Sequence, residues 1–356
     1  MKIGFQQHLI SNKRKIFAAV FLLCLLIIFG FILFYIFKIF QITDQNSQQE
    51  NNFLNHHIII AGGRNNADYL RQVYEGAAAV AGDYSAVVEL LLPSSQAEDD
   101  SLLSKLEYAS ALGASGIIAY IDSDSQIVQA PKDVFNGEIP LVCLGQQNPY
   151  NDSICYIGPN KFELGQILAK TAVLLCPDGG NLLIPVDAVQ NREASGQLIG
   201  NMNQALNEYY ARQASDEETS ANSVKRINVQ ILELKDDPTI SPDDFIRQEI
   251  IARHDINCVL CFSHADTLRV AQTVIDLNRT SIAVIGFEES EKTLDLLQRG
   301  VLQALVSFNA RKTGELAMAQ IFEYIKNGNA NVYIPNDIRV LRGKNLAEID
   351  FKAVEK

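Results

Sequence analysis

Clusters of polar residues stand directly after short apolar runs along this chain: Arg64-Asn65-Asn66, Gln146-Gln147, Asn191-Arg192 with Asp187 ahead of it, Ser263-His264 with Asp266, Glu288-Glu289, and Asn309 with Arg311. Amides, carboxylates and guanidinium groups each present paired donors or acceptors, the geometry that grips vicinal hydroxyls or a carboxylate. One such cluster alone reads as a turn or a helix cap. Their recurrence after successive apolar runs is what points to a binding edge. Motifs for reaction chemistry are missing from the sequence. There is no Gly-x-x-x-x-Gly-Lys-Ser/Thr phosphate loop, no His-Glu-x-x-His zinc helix and no Gly-x-Ser-x-Gly elbow. Ala61-Gly62-Gly63-Arg64 lacks the third glycine of a dinucleotide fingerprint. His56-His57 enters the first apolar run, where packing or solvent explains it better than a metal. The expectation is a binding protein with no catalytic residue, no metal and no cofactor.

The apolar runs must be the strands that hold these clusters. Runs at 57–61, 86–92, 116–121 and 140–144 alternate with segments of helical period, such as Leu70, Val73, Tyr74 and Ala77 on one face, with Asn66 as a candidate cap. A second series places strands at 181–186, 227–234, 256–262, 281–287 and 302–308. Helices are expected at 161–175, 193–211, 245–253, 266–277, 291–299 and 311–326, the last two ended by Gly300 and Gly328. Runs that are continuously apolar, rather than alternating, belong to strands covered on both faces, hence parallel sheets. So many strands exceed one open sheet, and two doubly wound α/β lobes are the better solution. Ligands of such sheets sit at the carboxyl ends of the strands, where the polar clusters fall.

Residues 16–37 contain no charged side chain. At 1.5 Å per residue a helix of that length spans roughly 33 Å, enough for a bilayer core. Lys13-Arg14-Lys15 precedes it, and no small-residue cleavage site follows Leu33-Phe34-Tyr35-Ile36-Phe37. We therefore read 1–15 as a cytoplasmic tail, 16–40 as an uncleaved single-pass anchor in membrane lipid rather than a removed signal, 41–55 as a polar linker, and the rest as extracytoplasmic. Residues 1–40 carry five Lys/Arg and no acid, so a chain of net charge −12 leaves −17 outside. That exterior argues against nucleic acid as a partner. Of six cysteines, Cys24 lies in the anchor and the other five read mainly as buried thiols. Cys258 and Cys261, three apart on a strand, face opposite sides and make a poor metal site. Cys143 with Cys155 is the pair to test for a bridge.

Particular stretches carry a resemblance. Cys258-Val259-Leu260-Cys261-Phe262-Ser263-His264-Ala265-Asp266, Val284-Ile285-Gly286-Phe287-Glu288, Gly300 through Gly314, Ile139-Pro140-Leu141-Val142 and Gly158-x-Asn160 resemble the type I periplasmic solute-binding proteins. This is the ribose- and galactose-binding group that shares its fold with lactose-repressor-like ligand domains. The resemblance covers about 56–345. It implies an amino-terminal lobe of 56–160 plus 309–337, a carboxyl-terminal lobe of 161–308 plus 338–348, and a three-strand hinge between them. Taken with the polar clusters at the strand ends, it gives as expected ligand contacts Arg64, Asn65, Asn66, Gln146, Gln147, Arg192, His264, Asp266, Glu288, Phe308 and Asn309. Glu288 stands where the family usually has an aspartate, and His264 where an asparagine is usual. Gly145-Gln146 stands in place of an Asp-Arg pair. The helix near Gln197-Leu198 lacks the usual arginine, for which Arg192 is near enough to substitute. Phe308 replaces a glutamine and could stack on a sugar face. The sugar-specific pattern is thus altered. The implied function is hinge closure on a small polar ligand, a sugar or sugar derivative, for ABC-type uptake or for signalling through a partner histidine kinase. The alternative is an α/β enzyme acting on a small polar metabolite outside the membrane.

Overall fold

The computed structural model describes residues 56–63, 66–92, 101–121, 138–145, 153–187, 192–215, 225–234, 239–343 and 347–348, with positions 30, 33, 34 and 38 in addition. Residues 1–55 and 56–356 are separate compact units. In the first, Gly30, Leu33, Phe34 and Lys38 are helical and exposed. The remainder of the expected anchor lies outside the described residues. Among the described residues, no helix is long and apolar enough to cross a membrane.

The second unit opens with strand β1 (His56–Ala61), helix α1 (Ala67–Ala81), β2 (Ala86–Leu91), α2 (Leu102–Ala111), β3 (Gly116–Ile121), β4 (Leu141–Gly145) and β5 (Cys155–Gly158). Helix α3 (Lys161–Leu175) leads to β6 (Gly180–Asp187), α4 (Arg192–Ser215), β7 (Ile227–Leu234), α5 (Pro242–Ala252) and β8 (Ile256–Leu260). There follow α6 (His264–Asp276), β9 (Ala283–Phe287), α7 (Glu291–Gln298) and β10 (Ala304–Phe308). The chain closes with α8 (Ala310–Asn327), β11 (Tyr333–Pro335), β12 (Ile338–Arg342) and β13 (Ala347–Glu348).

These strands make two sheets, ordered β11-β5-β4-β3-β1-β2 and β13-β12-β10-β9-β8-β6-β7. The central order 2-1-3-4-5 occurs in both, as β2-β1-β3-β4-β5 and as β7-β6-β8-β9-β10. The first sheet is parallel throughout its described pairings. The second departs from the parallel expectation at one edge, where β12 runs antiparallel to β10 and β13 antiparallel to β12. The continuous apolar runs have the predicted cause. Ile58 and Ile60 face one core with α1 residues Leu70 and Val73, while Ile59 and Ala61 face another with α2 residues Leu102 and Leu106.

Side-chain caps set where the helices start. Ser101, Asn160, Ser241, Ser263, Ser290 and Asn309 each accept a bond from the first turn of the helix that follows. Asn66 holds the capping position of α1, but its side chain makes no capping bond there.

The chain passes between the sheets three times, from β5 to β6, from β10 to β11 and from β11 to β12. Helix α8, on the second crossing, packs tightly on α1. A Cβ at Gly76 would stand 1.9 Å from the Arg311 carbonyl oxygen, and one at Gly314 would stand 2.0 Å from that of Val73. Only glycine allows two backbones to come this close.

Candidate functional site

The strand ends of the two lobes face each other, and named contacts span the gap. Tyr120, next to last in β3, donates its hydroxyl hydrogen to Glu288 Oε1 at 3.1 Å, just beyond β9. Gln72, on α1, donates from Nε2 to the Glu289 carbonyl at 2.9 Å. Asp68, also on α1, is near enough to act electrostatically on His264 at the start of α6.

Glu288 is the centre of this set. It is 7% exposed, and its φ of 66° puts a non-glycine residue in the left-handed region. Such a conformation costs roughly 1–3 kcal/mol and persists where neighbours over-determine it. Here the Glu288 amide donates to the Val306 carbonyl at 2.9 Å, and its own carbonyl accepts from Thr293 Oγ at 3.0 Å. The loop therefore aims the carboxylate at the opposite lobe. Glu289 turns back into its own lobe, accepting from Ser307 Oγ at 2.6 Å and from Arg339 at 3.3 Å.

Two tyrosines that sequence reasoning passed over line the facing side. Tyr69 and Tyr120 meet edge to face, with ring centroids 5.6 Å apart. Burial pushes the Tyr69 phenol up to about 12, and the Glu288 carboxylate adds to the rise against hydrogen bonds to Thr313 and Asn336. The Tyr69 phenol thus stays protonated as a donor at neutral pH. Tyr156 donates to the Gly145 carbonyl at 2.9 Å and stacks on Tyr333, which pins the end of β4 just before Gln146. The available signal was an aromatic residue with a polar tip near the carboxyl end of an apolar strand, as in Gly116-Ile117-Ile118-Ala119-Tyr120-Ile121.

The predicted residues divide. Glu288 and His264 belong to the lobe-facing set. His264 Nε2 lies 2.9 Å from Ser290 Oγ, and burial, with help from Lys292, lowers its pKa against the pull of Asp68. Asp266 serves its own helix: Ser263 Oγ donates to its carboxylate at 2.7 Å and Arg269 at 3.0 Å. Burial is the main cause raising its pKa. Asn309 caps α8, accepting from the Lys312 amide at 3.1 Å. Phe308 is buried edge-on against Phe287, centroids 5.3 Å apart, so it packs in the core rather than offering a stacking face. Asn66 is buried at the start of α1, and Arg192 opens α4. Arg64, Asn65, Gln146 and Gln147 lie outside the described residues.

The pairing considered for Cys143 and Cys155 does not fit the sheet. Neither is in a disulfide, and they belong to cores on opposite faces, Cys143 with Leu141 and Tyr156, Cys155 with Val142 and Ile157. Among the described residues, no group of His, Cys, Asp and Glu is placed to hold a metal ion.

Two doubly wound lobes, three crossings and facing polar strand ends are the architecture of the type I periplasmic binding fold. Residues 58–330 match the periplasmic binding protein domain family, and the chain belongs to it. Among solved structures it is similar to a chain of the XylFII-LytSN complex, with 21% identity and a TM-score of 0.61 over 82% of this chain and 98% of that one. It is also similar to GanP, a glucose-galactose binding protein from Geobacillus stearothermophilus, with 19% identity and a TM-score of 0.63 over 81% of this chain and 96% of that one. A third is AraP, an arabinose binding protein from the same organism, with 15% identity and a TM-score of 0.63 over 82% and 97%. No curated protein matches.

Proposed function

We propose that this protein is a membrane-tethered, extracytoplasmic receptor whose lobes close on a small polar solute, a sugar or sugar derivative. The observation that carries it is the buried Glu288 carboxylate, held at positive φ and aimed across the gap at Tyr120. A carboxylate and two phenols can each bond a ring hydroxyl, and the tyrosine rings offer apolar faces to its C–H groups. In this arrangement Glu288 takes its partner from the protein, and a solute hydroxyl entering the gap would take Tyr120's place. Roughly 5–10 such bonds at about 1 kcal/mol net each suffice for micromolar affinity. GanP and AraP, described as sugar-binding proteins, share the fold and support the ligand class.

The tether sets the use of that binding. An anchor over 16–40 keeps the receptor at the membrane, beside either an ABC permease or a sensor histidine kinase. XylFII, found in complex with LytSN, has a similar fold assembled with a second protein, which supports a protein partner for this receptor as well.

Calorimetric titration of the purified protein with sugars, polyols, amino acids and nucleosides tests the reading. We expect one sugar-class compound to bind, and Glu288→Ala to weaken it at least about a hundredfold, as for loss of a buried charged hydrogen bond. A ligand that binds Glu288→Ala as well as wild type would refute the site. Protease accessibility of 56–356 in intact cells tests the topology, and protection would refute it.

A further inference from the structure

We propose that Cys176 and Cys258 form a disulfide within the carboxyl-terminal lobe by exchange with a small-molecule disulfide. Cys176 is the residue that ends α3, its amide bonded to the Ala172 carbonyl at 2.9 Å. A turn closed by the Gly179 amide on the Cys176 carbonyl at 3.0 Å then feeds β6. Leu182 of β6 pairs in register with Cys258 of β8, and Asn257 Oδ1 accepts from the Asn181 amide at 2.9 Å to fix that end of the pair. Cys258 points into the core that α3 and α4 cover, and Cys176 packs on the same core. The two thiols lie near enough in that core for each to shift the other's titration. Sequence spacing hides the pair, because roughly 80 residues separate the partners. Cys261, three residues on from Cys258, points into the opposite core.

The two sulfurs have unequal access. Cys176 is half-buried and Cys258 fully buried. Its contact with Cys258 lowers the Cys176 thiol, and contact and burial raise that of Cys258. Cys176 is therefore the attacking thiolate. Its sulfur displaces one thiolate from the small disulfide RSSR, forming Cys176–S–S–R and releasing RS⁻, which takes up the proton that Cys176 lost. Cys258 then loses its proton and attacks the Cys176 sulfur, forming the Cys176–Cys258 bond and releasing the second RS⁻ to be protonated. Two protein thiols are oxidised and one RSSR is reduced to two RSH. A second small disulfide cannot reach buried Cys258, so the mixed intermediate resolves only within the chain. The bridge would staple the end of α3, the helix that follows the first crossing, to β8, an inner strand of its lobe.

Full-length protein incubated with oxidised glutathione and digested without reduction should yield one linked peptide joining Cys176 and Cys258, two mass units below the sum of the free-thiol peptides. Oxidation should raise the Tm by roughly 5–10 °C, since closing so long a loop restricts the unfolded chain. Cys176→Ser should fold, show no link and show no rise. Glutathione left on Cys176, a link between other cysteines, or thiols that all stay free under these conditions would each overturn the proposal.

Discussion

The contact between Tyr120 and Glu288 is local chemistry placed by long-range structure. Their hydrogen bond joins residues 168 apart in sequence. Tyr120→Phe removes the donor and leaves a buried carboxylate oxygen one partner short. We expect it to lower the unfolding free energy by about 1.5 kcal/mol, the lower end for a bond to a charged group because Tyr120 is only partly buried. Denaturant titration measures it, and a double-mutant cycle with Glu288→Gln should show the two losses to be non-additive. His264 gives a pH prediction. Its folded-state pKa is depressed below 6.5, chiefly by burial, so the folded protein holds the proton less well than the unfolded chain. Its contribution to stability is then complete above about pH 6.5 and is lost as pH falls through the folded value. His264→Asn should reduce the drop in Tm between about pH 7.5 and about pH 5.5, and an unchanged drop would assign it to other groups. Glu288 was legible in the sequence because it follows Val284-Ile285-Gly286-Phe287, a run that ends a strand at the binding edge. Tyr120 was not, because inside an apolar run a tyrosine reads as core until the opposite lobe supplies an acceptor.

At the scale of elements, the pair α1 and α8 fixes how the second crossing meets the first lobe. Gly314→Ala would drive a Cβ to within 2.0 Å of the Val73 carbonyl oxygen and 2.8 Å of the Ala77 amide nitrogen. Those are backbone atoms of a helix and cannot rotate aside, so the helices must separate. We expect a loss of about 3 kcal/mol, the upper part of the range for overpacking, despite alanine's better helix propensity. Thermal unfolding monitored by circular dichroism checks it, and a stabilised variant would show that the interface yields. Long elements were readable from periodicity and caps: α3 at Lys161–Leu175, β3 at Gly116–Ile121 and β7 at Ile227–Leu234 match the expected 161–175, 116–121 and 227–234. The short strands β5, β11, β12 and β13 were not read as strands. Four residues such as Cys155–Gly158, or three such as Tyr333–Pro335, are too few to establish a period. Their strand character comes from neighbours already in the sheet.

Across the whole 56–356 unit, the crossings are knit to one another by a buried asparagine. The Asn336 amide, between β11 and β12, donates to the Gly158 carbonyl at the end of β5 at 3.0 Å. Its side-chain oxygen accepts from Thr313 Oγ at 3.2 Å, on the helix of the remaining crossing, and Tyr69 reaches the same hydroxyl at 3.5 Å. All three passages between the lobes therefore share one hydrogen-bonded junction. Lobe closure in such a fold is a rotation absorbed at the crossings, so the junction should favour one lobe arrangement over the others. Asn336→Ala keeps the backbone bond and deletes the acceptor. It should cost about 1–3 kcal/mol of stability, because Thr313 and Tyr69 lose a buried partner. If the junction holds the lobes together, the variant should also spend more time open. Its apparent affinity for a cleft ligand would fall by up to about tenfold with every ligand contact intact, since only the competent fraction binds. Distances between paired labels on α2 and α5, one in each lobe, would lengthen in the unliganded variant and return to the wild-type value on ligand saturation. A variant that loses stability but keeps the wild-type distance and affinity would reduce the junction to a structural support, with closure governed by the Tyr120–Glu288 contact across the gap.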